Sequence, residues 1–171
     1  MHISTSLRNY AIATLLLFAI GCVAYAQQSS APSGPAAYIE GVTGAGQPDE
    51  AELDRLSAAG YKYVIDMRLP HEDRGLADER ASVEAAGMSY IPLPIDSSTD
   101  ITFEKANELD RILAEIDGPV MIHCGSGNRV GALMSLRASI NGADDETAVE
   151  AGKQTGLTRL EPTVRERLEE R

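Results

Sequence analysis

Cysteine is almost missing from this chain: Cys22 and Cys124 are the two among 171 residues, and Cys22 sits in an apolar run near the start. Once that run is removed, a single cysteine remains, so no internal disulfide can form and Cys124 cannot be a structural staple. Histidine is nearly as scarce, with three residues and no paired His/Asp spacing, so the expectation is no metal site and no cofactor. Positive charge is short too, 15 Lys and Arg against 26 Asp and Glu, for a net charge of -11. A surface that acidic argues against nucleic acid or an anionic membrane as partner. An anionic substrate must therefore be won by a local cup of donors. Nor is there a long hydrophobic run: residues 11–24 are too few to span a bilayer comfortably, so no membrane span is expected in the mature chain.

That short run has another use. Arg8 without any acid, the apolar stretch over 11–24, and Ala24-Tyr25-Ala26 before Gln27 form the charged, apolar and Ala-x-Ala regions of a secretory signal. Cleavage is expected after Ala26, giving a periplasmic or secreted protein; lipidation at Cys22 is the alternative. Residues 27–36 are polar and rich in Gly, Pro and Ser, a flexible lead. Taking 26 residues from 171 leaves 145, enough for one domain, placed at 37–171, and loss of Arg8 moves the charge from -11 to -12. Nothing in the sequence speaks to oligomeric state.

What is present centres on Val120-Met-Ile-His123-Cys124-Gly125-Ser126-Gly127-Asn128-Arg129-Val130. An apolar β-prone run ends in His-Cys, passes two glycines and meets a helical pattern at Arg129, which predicts strand, tight loop and helix. Such a loop turns backbone N–H groups inward, and the helix N-terminus adds partial positive charge, so its guest is an anion. The same field favours thiolate over thiol at Cys124 and makes it a nucleophile. Gly125 and Gly127 let the backbone approach a ligand, and the planar guanidinium of Arg129 can grip two oxygens of a tetrahedral anion. Gly125, Ser126, Gly127 and Asn128 are the candidate substrate-binding positions. The plainer alternative is a buried strand-end cysteine before an ordinary glycine turn.

Around this stretch the pattern predicts a strand over 38–42, a helix over 49–59, a strand over 61–67, a helix over 78–86 and a strand over 89–93. Pro92 and Pro94 stop that last strand or set it at an edge. A helix capped by Thr102 runs to about 116, the strand into Cys124 follows, and helices over 129–141, 144–153 and 162–168 complete the chain as scaffold. Helices alternating with short apolar strands predict an α/β fold, a single domain whose mostly parallel sheet has helices on both faces. Ligands of such sheets bind beyond the carboxyl ends of the strands, where Asp66, Asp96 and Cys124 fall.

His123-Cys124-Gly-Ser-Gly-Asn-Arg129 resembles the signature loop of cysteine-dependent phosphatases. With Gly44-Ala-Gly-Gln-Pro48, Gly60-Tyr-Lys-Tyr-Val-Ile-Asp-Met-Arg68 and Gly87-Met-Ser-Tyr-Ile-Pro-Leu-Pro94, the pattern is similar to the bacterial phosphatase-like domain of beta-lactamase-hydrolase-like proteins, a branch of the dual-specificity phosphatase superfamily. The resemblance covers most of the mature chain. It implies a cysteine phosphatase-like fold, Cys124 and Arg129 as catalytic residues, and an acid in the loop Ile95-Asp-Ser-Ser-Thr-Asp100, with Asp96 preferred over Asp100. Such an acid protonates the leaving oxygen; either aspartate could instead cap the next helix. His123, Asp66 and Arg68 are implied as supports, with Arg68 bracing the loop or pairing with Glu72, while His71 stands isolated. Four residues separate Cys124 from Arg129 where the wider superfamily has five, a spacing that also resembles rhodanese sulfurtransferases.

Three readings follow. The first is an exported phosphatase-like hydrolase that acts on a phosphate ester, a small anionic or phosphorylated molecule, through a thiophosphate intermediate. The second is a sulfurtransferase carrying a Cys124 persulfide. The third is an inactive anion-binding module.

Overall fold

Buried side chains alternate between the two faces of the central strand, and the rest of the architecture follows from what each must pack against. The computed structural model describes residues 37–39, 41–73 and 75–171; the signal segment expected over 1–26, lipidation at Cys22 and the lead over 27–36 lie outside the described residues. The described elements run β1 (Ala37–Ile39), β2 (Val42–Ala45), α1 (Glu50–Ala58), β3 (Tyr63–Asp66), α2 (Glu79–Ala85), β4 (Ser89–Pro92), α3 (Phe103–Glu115), β5 (Val120–His123), α4 (Asn128–Ile140), α5 (Asp145–Gln154) and α6 (Glu161–Glu169). The sheet order is β1-β2-β5-β3-β4, parallel except for β1, which pairs antiparallel with β2. This is the α/β single-domain fold expected, with β4 and its Pro92 at an edge, where a missing N–H is harmless.

The central strand β5 is buried along its whole length and sends alternate residues to opposite faces. Met121 joins Val64, Leu53 and Leu56 of α1 and Val83 of α2. Val120 and Ile122 join Ile65, Leu109 of α3, Leu133 and Leu136 of α4, and apolar residues of α5 and α6. A strand buried on both faces reads as an unbroken apolar run, which is what Val120-Met-Ile is.

Several expected boundaries shift. The single strand over 38–42 is instead a hairpin, because Gly41 at φ 76° turns the chain between β1 and β2. Asp49, the capping acid its position predicts, accepts from Glu52 N at 2.7 Å, and Asp144 likewise stands just outside its helix as a cap, accepting from Thr147 N at 2.8 Å. Thr102 caps α3 as expected, accepting from Lys105 N at 3.2 Å.

The α4 helix is buried nearly all round and crosses α5 at glycines. A Cβ on Gly131 would lie 2.0 Å from Leu157 N, and one on Gly152 would lie 1.9 Å from Ser135 Oγ. Backbone therefore meets backbone, and the 155–160 segment after α5 is laid against the beginning of α4. At the other strand ends pairing persists past the ladders, with Met67 N donating to His123 O at 2.9 Å and Ile95 N to Met67 O at 3.1 Å. These bonds gather the chain after β3, β4 and β5 at one edge of the sheet.

Candidate active site

The strand β5 delivers His123 and then Cys124, and the loop through Gly125, Ser126 and Gly127 enters α4. Gly127 has φ 80°, a left-handed conformation that a side chain would strain, and it stands as the α4 N-cap with no side-chain cap. A bridge between Ser126 and Gly46 ties the loop to the chain after β2. Cys124, a free thiol, is buried at the base of a cleft of about 560 Å³. Ser126, Asn128 and Arg129 line the same cleft. Gly125 and Gly127, expected to bind substrate, are not among the residues that line it.

Arg129 is held by partners on two other loops. Its Nη1 and Nη2 donate to Glu72 Oε1 at 2.6 Å and Oε2 at 2.7 Å, and Nη1 also donates to Ile95 O at 3.0 Å and Met67 O at 3.3 Å. Glu72 is fixed in turn by Leu69 N at 2.7 Å. The hydrogen bond from Arg129 holds the Glu72 carboxyl below the usual carboxylate range, against the opposing effect of burial. The same pair pushes the Arg129 guanidinium further up, with the Cys124 sulfur adding to the effect after the cost of burial.

Arg68 does not take Glu72 as its partner; it lies buried beneath the loop in a network with Asp66, Glu79 and His123. Its Nε donates to Asp66 Oδ1 at 3.0 Å and its Nη2 to Asp66 Oδ2 at 3.2 Å and to Glu79 Oε2. Tyr90 OH donates to Asp66 Oδ2 at 2.7 Å, and His123 Nε2 lies 2.9 Å from Glu79 Oε1. Burial alone would raise the Asp66 carboxyl, but the Arg68 hydrogen bonds and the His123 charge outweigh it and lower the carboxyl from 3.8 to about 2. So His123, Asp66 and Arg68 are brought together, next to Cys124 in the chain's fold rather than in the cleft lining. Asp66, Glu79 and His123 also present ligand-type atoms within 4.8 Å of one another, the one such cluster among the described residues. Arg68 already bridges both carboxylates, so the site's compensating cation is a guanidinium.

The acid loop separates its two candidates. Asp96 lines the cleft opposite the loop, and Ser98 N and Oγ donate to its Oδ1 at 2.8 and 2.6 Å. Those bonds, the side-chain one foremost, hold the carboxyl below its ordinary range, with His71 and Arg129 adding smaller attractions. Asp100 is spent on the loop itself, its Oδ2 accepting from Asp96 N at 2.9 Å. Neither caps α3, which Thr102 does.

Two positions escaped the sequence reading and two were assigned otherwise. Glu79 follows β3 as an unremarkable acid, and Arg159, from a stretch read as scaffold, sits at the cleft rim beside Leu160; Glu72, expected as a partner of Arg68, holds Arg129 instead, and His71 lines the cleft and is not isolated. Asn128 explains the placement of Arg159. Its Oδ1 accepts from Thr158 N at 2.8 Å, Thr158 Oγ1 at 3.1 Å and Leu160 N at 3.3 Å, so this side chain anchors the 155–160 segment. Only the anchoring pattern of a buried asparagine could have signalled it, and that pattern needs the fold.

Comparison with known proteins gives the family and the fold. A beta-lactamase hydrolase-like protein of Agrobacterium fabrum is 34% identical over 122 residues, 69% of this chain and 28% of that protein. The chain thus spans little more than a quarter of the length of that relative. Among solved structures, a candidate phosphatase of Neisseria meningitidis superposes with a TM-score of 0.70 at 19% identity, covering 81% of this chain and 99% of the other. P. aeruginosa TpbA in complex with pTyr superposes with a TM-score of 0.55 at 17% identity, covering 78% and 87%. At those identities the likeness carries the fold, which is cysteine phosphatase-like. The family model for the phosphatase-like domain of beta-lactamase hydrolase-like protein matches residues 37–142, and the chain belongs to that family.

Proposed function

We propose that this chain is a cysteine-dependent phosphatase acting on phosphate monoesters. The observation that carries the reading is that Cys124, Arg129 and the carboxylate of Asp96 line one cleft, so nucleophile, oxyanion clamp and acid share a space. The Cys124 Sγ attacks phosphorus and the ester P–O bond breaks, with Asp96 giving its proton to the departing oxygen. Arg129 and the loop amides hold the non-bridging oxygens as charge builds. Water then attacks the thiophosphate, Asp96 takes its proton, the S–P bond breaks and inorganic phosphate leaves with the cysteine restored. TpbA, whose fold this chain shares, was solved with pTyr, which supports a phosphorylated molecule as substrate class.

The four-residue spacing between Cys124 and Arg129 favours the second reading, a persulfide carrier that needs no acid. The two are separated by assaying one preparation for phosphate release from an aryl phosphate and for sulfur transfer from thiosulfate to cyanide. Phosphate release is the expected activity, and Cys124→Ser abolishes it. Sulfur transfer without phosphate release overturns the phosphatase reading.

A further inference from the structure

Arg159 is exposed at the rim of the cleft, in the 155–160 segment between α5 and α6. Among the described residues every other lysine and arginine makes an ion pair or a hydrogen bond, whereas Arg159 makes neither. In a chain with 26 acids against 15 bases, a solvent-exposed guanidinium left without a carboxylate is unusual. Its fork remains open toward the cleft's contents.

The segment that carries it is built onto the nucleophile loop. Both neighbours of Arg159 donate to Asn128 Oδ1, Thr158 N at 2.8 Å and Leu160 N at 3.3 Å. A Cβ on Gly156 would come within 2.9 Å of Gly127 O, so the two backbones touch. The placement of Arg159 beside the loop is therefore a property of the loop's own residues.

Charge in the cleft points the same way. The cation of Arg129 is matched by Glu72, and Asp96 is held ionised by Ser98. Of the two arginines that line the cleft, Arg159 alone has no carboxylate partner among the described residues, so a further anionic group on the substrate meets an uncompensated cation there. Its guanidinium fork fits the two oxygens of a phosphate or carboxylate. A cleft of about 560 Å³ suits a small molecule bearing both groups.

We propose that Arg159 determines specificity by receiving a second anionic group, phosphate or carboxylate, of a small phosphate monoester whose reacting phosphoryl sits over Cys124. The proposal rests on the phosphatase reading for which group reacts, but its binding readout does not need turnover. The full chain carrying Cys124→Ser is titrated calorimetrically with fructose bisphosphate against fructose monophosphate, and with phosphoglycerate against glycerol phosphate. The doubly anionic member of at least one pair binds about tenfold more tightly, and Arg159→Ala removes that preference while Arg159→Glu inverts it. The pair that responds identifies the second group. Arg159 is exposed and unbonded, so the melting temperature stays within a degree or two of the parent, which checks the fold. An unchanged preference in Arg159→Ala, equal losses for both members of each pair, or no binding of any of the four overturns the proposal. Wild-type release of phosphate with no Arg159-dependent preference sinks it alone; preference without any phosphate release sinks the phosphatase reading alone.

Discussion

Arg129 and Glu72 meet fork to fork at 2.6 and 2.7 Å, joining the first turn of the helix after the nucleophile to the turn after β3. A long guanidinium side chain carries roughly 2 kcal/mol of rotamer entropy. Glu72 and the two carbonyls behind it remove that freedom before any substrate arrives, and the unused edge of the fork is left to face an oxyanion. The cost is that Glu72 cancels much of the charge it positions.

Replacing Glu72 by Gln keeps the shape and one hydrogen bond but removes the second acceptor and the charge. A guanidinium displaced by even an ångström costs up to about a hundredfold in rate. We expect Glu72→Gln to lower kcat for an aryl phosphate at least tenfold with little change in KM. Unaltered kcat would mean that the loop alone positions Arg129.

The buried network yields a stability prediction. The Asp66 carboxyl sits at about 2 when folded against an ordinary 3.8, so the folded state favours its ionised form. A depressed folded value contributes stability above about pH 4 and loses it as pH falls toward 2, by about 2 kcal/mol in all. Urea unfolding of wild type and Asp66→Asn between those limits should show a gap that narrows as acid is added. A gap constant with pH would show that the charge on Asp66 does not drive its contribution.

The strands β3 and β5 were legible because a buried parallel strand reads as an apolar run, and the cup because strand, two glycines, arginine and helix start coincide in one stretch; the β1–β2 hairpin was not. Cys124 and Arg129 stand out by the chemistry of that stretch, whereas Asp96 is singled out only by what the family resemblance implies. Partner choice was not legible. Glu72 and Glu79 differ by seven residues of turn and helix start, and which takes Arg129 and which Arg68 depends on how β3 and β5 sit side by side. Arg159 was hidden for a related reason: its position follows from glycines of α4 and α5 meeting at Gly131 and Gly152, a contact between elements that no local pattern records.

Asn128 lines the cleft, yet its side-chain oxygen is committed to Thr158 and Leu160. Asn128→Ala removes the acceptor of those partly buried donors and should cost about 1 kcal/mol in urea unfolding. Asn128→Asp keeps the acceptor and suits a helix N-terminus, so it should restore most of that stability. Its added negative charge should nevertheless weaken binding of inorganic phosphate. Loss of stability in both variants would show that the amide nitrogen, not the oxygen, matters.

Export is proposed from the N-terminal segment, since Arg8, the apolar run and Ala24-Tyr25-Ala26 agree on one cleavage point. Intact-mass measurement on protein from the envelope fraction should give a chain beginning at Gln27. A chain retaining Met1, or one acylated at Cys22, rules that out.

Asp96 carries the sharpest test of the phosphatase reading, because an acid catalyst must hold its proton and this carboxyl is held below its ordinary range by Ser98. In the free protein it is ionised at neutral pH. A phosphate dianion bound over Cys124 brings like charge to the carboxylate and so raises its proton affinity, which turns the resident base into an acid when substrate arrives. With a poor leaving group kcat should fall as pH rises and the bound-state proton is lost, whereas with p-nitrophenolate as leaving group that fall should be nearly absent. Asp96→Asn should slow the poor leaving group about a hundredfold or more and flatten its pH dependence. Ser98→Ala removes the larger of the two hydrogen bonds that keep the carboxyl ionised, so it should move the falling limb to higher pH without abolishing activity. If Asp96→Asn slows good and poor leaving groups alike, Asp96 gives no proton to the departing oxygen, and the acid must be sought elsewhere on the cleft wall, with His71 the next group in line.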